Sequence, residues 1–414
     1  MTTAMGVECL IIGGGAAGTA AAEEATARGV EVIVVEAGQA PAKRLDGSHL
    51  TVLTSSLAWG IFPGGVVSVI TPGDSLDFTP PTTILATGAE DRLLPFPGWE
   101  HQPVVTAAEA VALARSSDAS LRWIVAGNGA PGIQAALALH SLGQDIVLYA
   151  DASADDLSAL RAAGIETLGG YALGEVRGDE RLDEVKFLPI DEAGTPVLRK
   201  SDFLCVAYAR YPAAELAWLA GCQMVLRPDL GGYVPVVRDA VTTTVEGVFA
   251  VGAVAGLCRE ETAVLAGRLA GMRASERLGR GGGTGEARSR LEADLLAAQQ
   301  RDAAALSPWI GLMWKMEDSY VRAALERPGG VLCRCEKVPG QQVKGVLGDA
   351  GAQPGDVKRA TRTGMGECQG RHCRLLVVRA VTATTGRRPE AAVPMTFRPP
   401  ARPITVADLI RTGE

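Results

Sequence analysis

Val7-Glu8-Cys9-Leu10-Ile11-Ile12-Gly13-Gly14-Gly15-Ala16-Ala17-Gly18 is an apolar run that breaks into a glycine turn. The run has the length of a buried strand, and the Ala-rich stretch after the turn predicts a helix ending near Gly29. A second apolar run, Val32 to Val35, follows and ends on Glu36. Gly13, Gly15 and Gly18 stand in a G-x-G-x-x-G arrangement, with the acid 18 residues past the last glycine. Strand, turn, helix, strand and acid in this order are what dinucleotide recognition requires. The glycines let a pyrophosphate approach the backbone, the helix N-terminus meets its charge, and the acid accepts from ribose hydroxyls. A glycine turn kept only for packing is the competing reading.

The pattern recurs downstream. Trp123-Ile124-Val125-Ala126 runs into Gly127-Asn128-Gly129-Ala130-Pro131-Gly132, a helix to about Leu142, a strand from Ile146 to Tyr149, and Asp151. This second loop reads either as an NAD(P)H site with Asp151 on the ribose or as an empty scaffold, and Pro131 within the turn weighs toward the scaffold. Between the two loops lies a Gly-, Pro-, Ser- and Thr-rich stretch, about 38–83, with short apolar pieces, followed by Thr83-Ile84-Leu85-Ala86-Thr87-Gly88. Gly247-Val248-Phe249-Ala250-Val251-Gly252 predicts another buried strand, and a helix follows at about 259–279. The run Arg280-Gly281-Gly282-Gly283-Thr284-Gly285 reads as a hinge.

The expected class is α/β, with two Rossmann-like domains and a small helical module at the C-terminal side. The expected divisions are 1–115 with 238–280 as the first nucleotide domain, 116–237 as the second, 281–328 as a helical linker, 329–386 as the cysteine module and 387–414 as a Pro-rich tail. Within the linker, Trp309-Ile310-Gly311-Leu312-Met313-Trp314-Lys315-Met316 reads as a core helix, with a partner interface as the sharper alternative.

The 414 residues are 47% hydrophobic, enough for a large packed core, and the net charge of −7 argues against a general nucleic-acid binder. No apolar run reaches the ~18–20 residues that span a bilayer. The start of the chain carries no basic region followed by an apolar stretch, so the expected compartment is cytoplasmic. In that setting the eight cysteines read as thiols or metal ligands rather than disulfides.

Four of those cysteines are patterned. Leu332-Cys333-Arg334-Cys335-Glu336 is followed, after a 32-residue gap between cysteines, by Gly364-Met365-Gly366-Glu367-Cys368-Gln369-Gly370-Arg371-His372-Cys373. C-x-C and C-x4-C on two short loops suit a tetrathiolate metal site, and spacing alone divides evenly between structural zinc and an iron–sulfur cluster. Arg334, Lys337, Lys358, Arg362, Arg371 and Arg374 would offset a cluster's negative charge. His372 reads as a neighbour of the site rather than a ligand. Cys9, Cys205, Cys222 and Cys258 stand in apolar contexts and read as small buried hydrophobes. No Ser/His/Asp set, HExxH or redox-active CxxC is evident, so no catalytic acid or base is assigned.

The wording around the cysteines, C-R-C-E and T-R-x-G-M-G-x-C-Q-G-R-x-C, resembles the bacterioferritin-associated-ferredoxin-like [2Fe–2S] domain. That resemblance implies cluster ligands Cys333, Cys335, Cys368 and Cys373. The C-x4-C spacing looks like the version fused to flavoprotein dehydrogenases. The two glycine loops, with Ala86-Thr87-Gly88 between them and Gly252 after them, resemble the glutathione-reductase-type flavoprotein fold. Pro95-Phe96-Pro97-Gly98-Trp99, Glu215-Leu216 with Gly221-Cys222, and Gly231-Gly232-Tyr233-Val234-Pro235-Val236 narrow the match. Together they look like the α (A) subunit of heteromeric flavin-dependent amino-acid or opine dehydrogenases, a group that includes octopine and nopaline dehydrogenases, proline and hydroxyproline dehydrogenases and hydrogen cyanide synthase.

The resemblance implies an electron-transfer subunit. A D-amino-acid-oxidase-like β subunit with its own FAD would oxidise the substrate, and the family pattern admits an FMN at the subunit interface and a small third subunit. It also implies nucleotide contacts at Gly13, Gly15, Ala16, Ala17, Gly18, Glu36, Ala37, Thr87, Gly88 and Gly252. Two departures lie on the flavin side. Ala253 stands where such flavoproteins carry an Asp, and the stretch from Ala37-Gly38-Gln39 to Thr51 is short. The nucleotide expected in the first site is therefore FAD or an adenine nucleotide, ATP or ADP. The rival expectations are a stand-alone NAD(P)H-dependent flavin reductase feeding the cluster and a scaffold subunit with a purely structural nucleotide.

Overall fold

A computed structural model describes residues 6–153, 156–178, 181–191, 194–280, 285–348 and 351–410. The chain forms two compact units. The first comprises Met1–Glu90, Tyr211–Ser307 and Thr396–Glu414, and the second Asp91–Arg210 and Pro308–Met395.

The first unit is built on a seven-stranded sheet. Five of its strands are Val248–Ala250, Thr82–Leu85, Cys9–Ile12, Val32–Val35 and, at the edge, Leu50–Leu53, in that order and all parallel. Cys9 pairs with Val32 and Ile12 with Val35, so the strand after the first turn returns beside the strand before it. Strands buried on both faces need apolar side chains throughout, which is why Cys9–Ile12 and Val32–Val35 read as continuous apolar runs. One face is covered by the helices Ala16–Thr26 and Glu260–Arg277. A Cβ on Gly267 would sit 2.1 Å from the Ala17 carbonyl oxygen, and one on Gly271 2.5 Å from that of Ala21. The small residues let the two helices approach and fix the helix that opens at Gly15. The low-complexity stretch 38–83 supplies an antiparallel sheet, Leu57–Phe62, Val66–Thr71 and Asp74–Phe78.

The second unit holds a parallel five-stranded sheet in the order Thr167–Gly169, Asp145–Asp151, Arg122–Gly127, Phe203–Ala207, Val104–Thr106. An antiparallel sheet, Tyr171–Gly178, Leu182–Pro189 and Val197–Ser201, stands with it. Three helices, Gly340–Leu347, Pro354–Thr361 and Cys373–Thr385, surround the cysteine loops. The expected hinge falls on 281–284, outside the described residues. From Gly285 the chain runs as one helix to Glu326, and the division between units falls at its Pro308. Ile310, Met313, Trp314 and Met316 are all buried, so this apolar segment serves as core.

Candidate functional site

The first glycine turn is the floor of a cleft of about 330 Å³ in the first unit, within the size range of ligand sites. Gly13, Gly15, Glu36, Ala37, Thr87 and Gly88 line it. The three glycines of the fingerprint have different tasks. Gly13 takes φ +108°, and a Cβ there would meet the Ala86 carbonyl oxygen at 2.3 Å. A Cβ on Gly18 would fall 1.8 Å from the Gly13 carbonyl oxygen. Both are packing glycines. Gly15 has nothing within 4 Å of a Cβ position and faces the open cleft. It is also the N-cap of the helix and gives no side-chain cap, so the first-turn N–H groups are left for an anion.

Glu36 closes the turn from the side. Gly14 N–H donates to its Oε2 and Gly38 N–H to its Oε1, each at 2.6 Å. A carboxylate has about four acceptor sites, so ribose hydroxyls still find partners there. Thr87 Oγ donates to the Ala213 carbonyl at 2.7 Å, fixing the opposite wall. Ala16, Ala17 and Gly18 continue into the helix behind the turn. Gly252, at φ +72°, packs its turn onto that helix, since a Cβ would lie 3.0 Å from the Ala17 Cβ. Residues not anticipated also line the cleft: Ser56, Leu57, Ala58, Ala213, Glu215, Leu216, Ala401 and Arg402.

The second glycine loop is filled by its own neighbours. Tyr149 lies beneath it: Cβ atoms on Gly127 and Gly132 would stand 2.4 and 2.6 Å from the Tyr149 hydroxyl. Asp151 is fully buried and accepts from Gly129 N–H at 3.2 Å, from Ser153 N–H at 2.6 Å and from the Tyr149 hydroxyl. Asn128, also fully buried, donates to the Trp309 carbonyl at 3.3 Å. The acid that would hold a ribose is spent on the loop itself.

In the second unit the four patterned cysteines come together. Cys333 ends a short strand, Cys335 follows it, Cys368 sits in a turn, and Cys373 opens the helix Cys373–Thr385. The Sγ atoms are 3.9 Å apart for Cys333 and Cys335 and 3.6 Å apart for Cys335 and Cys368, and Cys373 lies against Cys333. Around a metal with thiolate bonds of ~2.3 Å, the edge of the tetrahedron is roughly 3.8 Å. Among the described residues no group of three or more His, Cys, Asp or Glu side chains is arranged to hold a metal ion, and the thiols meet in successive pairs. Backbone N–H groups nevertheless aim at sulfur: Gly364 at Cys333, Cys368 at Cys335, and His372 and Gly370 at Cys368. A Cβ on Gly366 would stand 2.6 Å from Cys335 Sγ, so this glycine makes room for the thiol.

Burial and the neighbouring thiols favour the neutral form of these cysteines. The Cys335 contact lowers the Cys333 pKa, but Cys373 and burial outweigh it and push Cys333 up to about 11. Cys335 is raised by Cys333, and Cys368 by Cys335 and by burial. Adjacent thiols resist joint ionisation unless a cation compensates, which a metal centre does. The first loop is clamped from behind. Trp99 Nε1–H donates to the Val331 carbonyl at 2.9 Å, and Arg334 donates to the carbonyls of His101 at 2.9 Å and Val104 at 2.7 Å.

Residues 44–275 match the family described as pyridine nucleotide-disulphide oxidoreductase. The chain belongs to that family. As a member of it, the protein carries the family's two-Rossmann α/β body, but no CxxC in its sequence and, among the described residues, only free cysteines. Residues 345–412 match the sarcosine oxidase A3 domain. The resemblance to α (A) subunits extends along the chain. The A subunit of an opine oxidase from Rhizobium meliloti is 24% identical over 97% of this chain and 87% of its own length. The HcnB subunit of a hydrogen cyanide synthase from Pseudomonas aeruginosa is 28% identical over 70% of this chain and 68% of its own. The fold is shared with L-proline dehydrogenase from P. horikoshii, at TM-score 0.73 and 18% identity, covering 99% of this chain and 80% of that one. Lactococcus lactis thioredoxin reductase matches at TM-score 0.52 and 21% identity, over 66% of this chain and 99% of its own. Among the described residues no helix is long and apolar enough to cross a membrane.

Proposed function

We propose that this protein is the electron-transfer subunit of a heteromeric flavin and iron–sulfur dehydrogenase that oxidises an amino acid or N-substituted amino acid, of the opine, proline, hydroxyproline or glycine class. Oxidation of the substrate's carbon–nitrogen bond belongs to a D-amino-acid-oxidase-like β subunit carrying its own FAD. Cys333, Cys335, Cys368 and Cys373 hold a [2Fe–2S] cluster, and the first cleft holds FAD or an adenine nucleotide through Gly15, the helix N-terminus and Glu36. When bound, such a cluster supplies one-electron transfer at a potential set by thiolate hydrogen bonds, local charge and burial. The residues of this chain hold the thiolates, direct backbone N–H groups at them and anchor the loop through Arg334 and Trp99.

The observation that carries this reading is the meeting of four thiols from two loops more than 30 residues apart, with N–H donors already turned toward them. The full-length likeness to the A subunits of opine oxidases supports the heteromeric assignment. The filled second glycine loop weighs against the NAD(P)H-dependent reductase.

The test is an absorption spectrum of the protein co-purified with its β subunit, taken before and after NADH and then candidate amino acids. Visible bands that bleach with an amino acid and not with NADH are expected. Bleaching by NADH alone would favour the reductase, and a colourless protein holding one zinc would overturn the cluster.

A further inference from the structure

Among the described residues the nucleotide cleft is lined by more carboxylates than cations. Its lining includes two carboxylates, Glu36 and Glu215, the latter only 7% exposed. Any adenosine 5′-phosphate brings further negative charge, and the helix N-terminus offers only about half a unit of positive charge against it. Among the described residues one cationic side chain lines the cleft, and it comes from the far end of the chain: Arg402.

Arg402 is delivered by a Pro-rich segment whose sequence alone reads as a tail. Phe397 and Ala401 are buried in the apolar cluster that also contains Leu10, Ala58 and Leu216. Ala401 N–H donates to the Trp59 carbonyl at 2.7 Å, so the segment is tied to the antiparallel sheet beside the cleft. Arg402 then pairs through Nη2 with Glu90, which is itself held by the Tyr211 hydroxyl at 2.9 Å. A guanidinium has five N–H donors in a rigid fork. The Glu90 contact engages Nη2 and restrains the group, and the side chain remains 40% exposed. Such a preorganised fork suits bidentate recognition of phosphate oxygens.

We propose that Arg402 is the phosphate-recognition residue of this cleft, and that the segment from Thr396 to Arg402 is a strap that completes the nucleotide site. The ligand chemistry is an adenosine 5′-polyphosphate group, whether as the pyrophosphate half of FAD or as ADP or ATP. The inference rests on the nucleotide reading of the first cleft. Lys in place of Arg402 retains charge but loses the fork, so Arg402→Lys falls between wild type and Arg402→Gln.

The experiment is acid extraction and chromatographic quantification of nucleotide from the co-purified complex, for wild type, Arg402→Gln, Arg402→Lys and Glu90→Gln. Flavin and adenine nucleotide peaks distinguish the two sources. The β subunit's own FAD is subtracted from the same preparation of β alone. Wild type is expected to retain about one nucleotide per chain, Arg402→Gln at least tenfold less, and Arg402→Lys and Glu90→Gln an intermediate amount. The visible bands of the cysteine site serve as an internal measure of folding and are expected to be unchanged. Full retention by Arg402→Gln would overturn the role of Arg402. A wild type with no nucleotide beyond that of β would instead overturn the reading of the cleft.

Discussion

The Asn128 side-chain amide donates to the main-chain carbonyl of Trp309 across the mouth of the second glycine loop, at 3.3 Å. The backbone of a helical segment thus stands over the turn that a nicotinamide dinucleotide's pyrophosphate would need. With Asp151 occupied from within, the ribose contact is already taken. Calorimetric titration of the complex with NADH or NADPH is therefore expected to show no saturable binding below about 1 mM, where binding is worth only ~4 kcal/mol. A micromolar, one-to-one isotherm would show that the segment moves aside.

The three glycines of the first loop are expected to separate on substitution. Gly15→Ala places a methyl in open space at φ −72°, so the variant folds with a change in stability of ~1 kcal/mol or less, yet loses bound nucleotide. Gly18→Ala drives a Cβ into the Gly13 carbonyl at 1.8 Å, and Gly13→Ala combines a clash with positive φ. Both are expected to yield insoluble or strongly destabilised protein. Soluble yield and nucleotide content, measured together, check the division. A stable Gly18→Ala would contradict it.

What was legible in the sequence follows how far apart the cooperating residues are. The strand Cys9–Ile12, the turn and Glu36 lie within 30 residues, and a local pattern of apolar run, glycine and acid suffices to place them. The cysteines span a longer gap, but thiols in paired short spacings are rare enough to be read together. Arg402 is 312 residues from Glu90, in a Pro-rich segment without periodicity, and nothing local marks it as part of a cleft. Ser56 to Ala58 and Glu215 enter in the same way, through chain segments the fold brings back. A glycine's task is also invisible in the spacing. Gly15 and Gly18 look alike in the fingerprint, and only the positions of neighbouring carbonyls separate the residue that faces ligand from the one that allows packing.

The loop bearing Cys333 and Cys335 depends on Trp99. Replacing Trp99 with Phe keeps the ring in its fully buried site but leaves the Val331 carbonyl without the indole donor. An unsatisfied buried acceptor costs about 1–3 kcal/mol, and the half-buried Val331 carbonyl bears part of that. That cost falls on the strand Val331–Cys333, so the expected outcome is faster loss of iron and visible absorbance under chelator challenge than in wild type. Cys335→Ser, by comparison, is expected to abolish the bands at purification. Equal chelator half-lives for Trp99→Phe and wild type would remove Trp99 from the support of this loop.

Arg92 and Glu317 form an ion pair in the core of the second unit, at 1% and 0% side-chain exposure. The Trp314 ring stands 5.5 Å from the Arg92 guanidinium and 4.8 Å from that of Arg379. Burial raises the Glu317 pKa, while Arg92 and Arg379 pull it down, and the net direction is upward. A carboxylate whose folded pKa lies above its unfolded value binds its proton more tightly in the native state. Its contribution is fully present below the ordinary Glu range and is lost as pH rises through the folded value. Arg92→Met removes one of the two opposing cations, so the folded pKa climbs further and the loss extends to higher pH. The variant is expected to be destabilised by about 3–5 kcal/mol near neutral pH. Its melting temperature should fall further behind wild type at pH 8.5 than at pH 5.5. Pairing Arg92→Met with Glu317→Leu removes the stranded charge and should recover most of the loss and flatten the pH dependence. A double variant no more stable than Arg92→Met at either pH would mean that the cost lies in packing against Trp314 rather than in the buried charge.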